Sequence, residues 1–88
     1  MINEQTKQIL KSHLLDYKAR RGYGKIDFMK NGRANFPVSI GLVRDLLYDM
    51  KRVTPWKASS QWKVIKFFEL EDKFIFKQGN YILKDERD

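Results

Sequence analysis

Between Met50 and Phe68 the chain carries five basic residues, Lys51, Arg52, Lys57, Lys63 and Lys66, and no acidic one. Interleaved with them are Trp56, Ser59, Ser60, Gln61 and Trp62. Ammonium and guanidinium groups neutralise phosphates and release their counterions, an attraction that weakens with salt. A Gln amide can pair with both polar edge atoms of adenine, and a Ser hydroxyl can bond several base edges. A second basic run, Lys18, Arg20, Arg21, Lys25, Lys30 and Arg33, is interrupted by one acid, Asp27. Five positive charges from the first run and a net five from the second exceed the total of +7, so the remainder of the chain is net negative. Charge segregated this far is the footprint of a polyanion-binding face. A solvated helix face is the plainer alternative for either run.

Other chemistries find little support. The chain has no cysteine, which excludes disulfides, thiolate metal sites and cysteine nucleophiles. His13 is the only histidine and has no partners at ligand spacing. It is expected to be a partly buried residue of the first helix. No Ser/His/Asp arrangement, Gly-rich phosphate loop or EF-hand pattern occurs. Asp45 with Asp49 could hold a cation at i, i+4, but solvation explains them more simply, as it does Glu69, Glu71 and Asp72. Neither an enzyme nor a cofactor is expected. The N-terminus lacks a basic segment followed by an apolar one, and no run approaches 18 apolar residues. These features predict a soluble, cytoplasmic protein with no membrane partner.

At 88 residues the chain is expected to form one domain, and its two Trp, four Tyr and six Phe supply a dense core. Thr6, Ile9, Leu10, His13, Leu14 and Tyr17 line one face of a helix over residues 3–20, which Gly22 and Gly24 terminate. A basic insert follows over 21–38. Asn31-Gly32 is a strong two-residue turn, so the insert is read as a short hairpin, or as an exposed loop ending in a strand at Phe36–Val38. Ser39 is a candidate N-cap for an amphipathic helix with Ile40, Val43, Leu46, Leu47 and Met50 inward, and Arg44, Asp45 and Lys51 off that stripe. Thr54-Pro55 predicts a third helix running to about Leu70, with Ala58, Trp62, Ile65 and Phe68 buried; Ser59 or Ser60 is an alternative cap. Two β-rich runs around Gln78-Gly79 predict a hairpin over 73–84, with Phe74 and Phe76 in the core. Asp85 to Asp88 would be a frayed tail.

This order resembles the winged helix-turn-helix superfamily from Ser39 to Lys84. The residues that carry the resemblance are Val53-Thr54-Pro55 at the turn and Phe68-Glu69-Leu70-Glu71-Asp72 at the end of the third helix. Phe74-Ile75 and Gly79-Asn80-Tyr81-Ile82-Leu83 correspond to the wing. The resemblance implies a small α+β domain, helix-turn-helix over 39–71 and wing over 73–84, with the third helix in a DNA major groove and the wing on backbone or minor groove.

The function expected is selective binding of double-stranded DNA by a small transcriptional regulator, of a kind found in phages and mobile elements. Lys51, Arg52, Trp56, Lys57, Ser59, Ser60, Gln61, Lys63 and Lys66 would form the main contact surface. Lys77, Gln78 and Asn80 would touch backbone from the hairpin tip, and Arg20, Arg21, Lys30 and Arg33 could form an arm on the phosphates. A homodimer through the first helix would add a second half-site. Two alternatives remain: a protein-binding module or inhibitor anchored by Leu15, Trp56 and Phe67, and RNA or single-strand binding with Tyr23, Phe28 and Trp56 stacking on bases.

Overall fold

A computed structural model describes residues 2–49 and 56–84. Helix α1 spans Glu4–Arg21, α2 Ile40–Tyr48 and α3 Ala58–Phe67; strands β1 (Phe74–Lys77) and β2 (Asn80–Leu83) pair antiparallel, giving a small α+β fold. The Val53-Thr54-Pro55 turn, Met50 and the tail 85–88 lie outside the described residues.

Local chemistry sets the ends of α1. Asn3 Oδ1 accepts from the Thr6 amide at 3.1 Å, and Gly22 leaves the helix at φ 66 while the Tyr23 amide reaches back to the Lys18 carbonyl. Ser39 does stand at the N-cap of α2, but its side chain makes no capping bond. Asp49 leaves α2 in the left-handed region and Lys57 enters α3. Helix α3 therefore starts at Ala58, later than the expected start near Pro55.

The buried centre gathers Leu10 and Leu14 of α1, Leu42, Val43 and Leu46 of α2, Val64 and Ile65 of α3, and Phe28, Trp56, Leu70 and Phe74. A polar cluster runs through it. Asp45, which the stripe had placed outside, is 2% exposed. Its carboxylate accepts from Lys7 Nζ at 3.2 Å and from the Trp56 indole N–H at 2.7 Å. Lys7 Nζ also reaches Asp49 Oδ1 at 2.8 Å. The acidic pair on α2 does hold a cation, and that cation is a lysine of α1. Burial opposes the Lys7 charge, but the hydrogen bonds and charges of Asp49 and Asp45 outweigh it and hold the ammonium above the ordinary lysine value.

The insert corrects the expected hairpin and the expected strand. Lys25–Phe28 forms a 3-10 turn, and the sheet has two strands only among the described residues. Asp27 organises the segment: its carboxylate accepts from the Gly24 amide at 2.8 Å and from Arg33 Nε at 2.7 Å, and its carbonyl accepts from the Ala34 amide. Asn31 at φ 67 sits in a turn closed by the Gly32 amide on the Met29 carbonyl, so it supplies a loop rather than a hairpin. Gly32 packs against the Asp27 backbone so closely that a Cβ would come within 2.3 Å of its carbonyl oxygen. Phe36 turns inward to ring contacts with Phe28, Phe67 and Phe68. Pro37 has no amide to donate, which removes one bond that a strand there would need.

The hairpin forms as expected, on a two-residue turn in which Gln78 (φ 51) and Gly79 (φ 83) both take positive φ. The bond from the Lys84 amide to the Lys73 carbonyl fixes the alternation of the ladder, so Phe76–Tyr81 is a non-hydrogen-bonded pair. The peptide groups of Tyr81 therefore point away from β1. They are not left open: the Tyr81 amide donates to Gln61 Oε1 at 3.0 Å, and Thr6 Oγ1 donates to the Tyr81 carbonyl at 2.8 Å. Helices α1 and α3 thus close the outer edge of β2.

Two substitutions test these locks. Lys7→Met strands the buried Asp45 carboxylate and should cost about 3 kcal/mol in urea unfolding at neutral pH. The wild-type contribution is complete below the ordinary lysine value of 10.5 and is lost as pH rises through the higher folded value, so the two proteins should converge in strong alkali. Gln61→Leu leaves the Tyr81 amide without its acceptor and should cost about 2 kcal/mol by the same measurement.

Candidate nucleic-acid interface

Helix α3 separates cleanly into two faces. Gln61, Val64 and Ile65 are buried and Phe68 packs beside them, at i, i+3, i+4 and i+7. Ser59, Lys63 and Lys66 are exposed at i, i+4 and i+7 on the opposite side. The helix contains no acid. Trp62 lies at the border between the faces, half-buried, with its indole stacked on the Tyr81 ring at 5.2 Å and 21°. Lys57 is exposed at the N-cap, and Ser60 is partly covered on the other border. Lys63 and Lys66 therefore share one outward, acid-free surface of α3. Lys51 and Arg52 lie outside the described residues.

The face is rotated from the one that the spacing predicted, and this removes two residues from the expected contact set. Gln61 is 0% exposed, with Nε2 donating to Asn80 Oδ1 at 2.9 Å and to the Trp56 carbonyl at 3.3 Å. It is a buried brace between α3 and the hairpin, and it cannot reach a base. Trp56 is buried against the core with its N–H on Asp45, which also removes it as an anchor for a protein partner or as a stacking platform. Phe28 is buried too, so it is not free to stack on a base. The signal for Gln61 was in the sequence: 61, 64, 65 and 68 stand at i, i+3, i+4 and i+7, which is a helical stripe as regular as 58, 62, 65 and 68, but the polar residue in that set directed the reading elsewhere.

At the hairpin tip Lys77 and Gln78 are exposed, while Asn80 is half-buried and its side-chain oxygen is taken by Gln61. Phe74 is 5% exposed as expected, but Phe76 is 58% exposed, because the ribbon runs past the core before it turns. Its ring meets Tyr81 at 5.2 Å. A row of aromatics therefore leads from the border of α3 along the hairpin.

The second basic run is partly neutralised. Arg33 pairs with Asp27 and lies over the Tyr23 ring at 5.0 Å; Arg20 pairs with Asp16 at 3.0 Å; Arg21 lies over Tyr17 at 5.4 Å. Lys30 is exposed beside a groove of ≈ 440 Å³ that Phe28, Phe36, Val38 and Ile40 also line. Phe67 is half-buried among Tyr17, Phe36 and Phe68, and its remaining surface forms a shallow apolar patch with Pro37 between Lys63 and Lys66. His13 is exposed rather than partly buried, with its ring 5.7 Å from that of Phe68. Leu15 is exposed on α1.

Among the described residues no group of three or more His, Cys, Asp or Glu side chains is arranged to hold a metal, and no helix is long and apolar enough to cross a membrane. The chain matches no protein-family model, no curated protein and no solved structure.

The Arg33 bond, then the Gly24 amide, hold the Asp27 carboxyl below its ordinary value, against the opposing effect of burial. The stability this gives the insert is present above the ordinary carboxylate value of 3.8 and is lost as pH falls through the lower folded one. In Arg33→Gln the Asp27 carboxyl midpoint, followed by carbon-detected NMR, should move upward toward 3.8. An unchanged midpoint would remove Arg33 as the cause.

Proposed function

We propose that the chain is a winged-helix-like DNA-binding domain that lays the outer face of α3 in the major groove of duplex DNA, with the hairpin as its wing. The observation that carries this reading is the outward row Ser59, Lys63 and Lys66 on an acid-free helix, opposite a fully packed inner face. Such a row presents phosphate-binding ammonium groups and one hydroxyl at helical spacing, on an element held rigid by Gln61 and by the core. The hairpin adds Lys77, and from Phe74 to Lys84 it carries no acid. With Gln61 buried, selectivity would rest on Ser59, on the lysines themselves and on the shape of the duplex rather than on a Gln–adenine pair.

The role that fits is regulation of transcription by occupancy of a DNA site, either as a monomer or as a homodimer through α1, where Leu15 stands exposed. A protein-binding role on the same scaffold has one observation in its favour, the Pro37–Phe67 patch between Lys63 and Lys66, which would suit an acidic partner.

Fluorescence anisotropy with labelled duplex DNA, single strands and RNA at several salt concentrations tests the reading. Duplex should be preferred, and the plot of log affinity against log salt should fall steeply. Lys63→Ala should flatten that slope by about one unit. Binding to none of the three nucleic acids, even at low salt, would reject the proposal and leave the protein partner.

A further inference from the structure

The position of Phe76 is not explained by folding. It shares one ribbon face with Phe74 and Tyr81, yet Phe74 is 5% exposed and Phe76 58%. Burying a phenyl ring stabilises a fold, so a Phe left outside gives up that stabilisation. The ring is not loosely held. It rests on Tyr81, Tyr81 stacks on Trp62, and Trp62 belongs to α3. Across the ribbon, Tyr81 is fixed through its backbone by Gln61 and Thr6. The next residues, Lys77, Gln78 and Gly79, form a turn too short to fold back over the ring.

The geometry points to Phe76 as a wedge: when α3 lies in the major groove, the wing presses this ring into the adjacent minor groove, unstacks a base step and bends the duplex. The inference rests on the DNA reading of α3. Its chemistry has three parts. An exposed aromatic ring gains a base or deoxyribose face on insertion, where water gave it none. The aromatic row behind it transmits the load to α3, so the wedge and the groove-reading helix move as one piece. The absence of acids from Ala58 to Phe68 and from Phe74 to Lys84 makes both approaches electrostatically complementary to a polyanion. A second copy of the chain is the competing occupant of the ring, and the experiment separates the two.

A duplex labelled at its ends for energy transfer, and carrying 2-aminopurine at successive positions, reports bending and unstacking when the full chain binds. The wild type should shorten the end-to-end distance and raise 2-aminopurine fluorescence at one step. Phe76→Ala should abolish both signals and weaken binding about tenfold, a typical loss for one base–aromatic stack. Its salt slope should stay as steep as in the wild type. Phe76→Leu should keep part of the bend, since an aliphatic wedge also unstacks. Both variants should unfold in urea near the wild-type midpoint, because the ring lies outside the core. Duplex binding with neither bending nor unstacking overturns the wedge and leaves the DNA reading standing. So does a Phe76→Ala protein that bends DNA as before but has changed from dimer to monomer by sedimentation. Absence of duplex binding by the wild type overturns both.

Discussion

The fold turns on the carboxylate of Asp45. A charged group at this depth is tolerated only when its oxygens are satisfied, and here one accepts from the Lys7 ammonium and the other from the Trp56 indole. Those two bonds tie α2 to α1 on one side and to the entrance of α3 on the other. Each partner is itself buried, so none of the three can be exchanged alone. In a chain this small such a cluster does something that apolar packing does less well: it accepts one arrangement of three helices and penalises the neighbours of that arrangement.

The hairpin is joined to this frame by a second polar lock of a different kind. Gln61 offers an acceptor and a donor, and the edge of β2 at Tyr81 and Asn80 requires both. Thr6 completes the edge from α1. The hairpin is thus fixed to the helices along β2, while the turn at Gln78-Gly79 projects beyond the core. A rigid base and a projecting tip are what allow α3 and the hairpin to present their surfaces together rather than independently.

Much of the frame could be read from residue order. The helix expected over 3–20, ended by Gly22, lies at 4–21, and the turn at Gln78-Gly79 falls where expected. What could not be read were the contacts between distant polar groups. Asp45 and Asp49, one turn apart, read as solvated charges, and Lys7 at the spacing of Leu10 and Leu14 on the inner face of α1 drew no reading at all; only the pairing of the two helices makes them partners. The same cause misled the reading of α3. A Gln in the buried stripe is legible as core only if its partners on the hairpin are known, and they lie about twenty positions away. The insert was misread because Asp27 curls the backbone around its own carboxylate, overriding the turn preference of Asn31-Gly32.

That curl also leaves a signature. Gly24 supplies an amide, Asp27 a carboxylate, Gly32 the space that a side chain would fill, and Arg33 the counter-charge. The spacing between these four is set by the bonds of Gly24 and Arg33 to Asp27 and by the close packing of Gly32 on its backbone, so insertions between them would break the curl, a constraint that the open surface of α3 does not carry. In chains that share this loop, exposed residues of α3 could change while this quartet would have to persist. A remote cousin would then be identified by its loop before its helices.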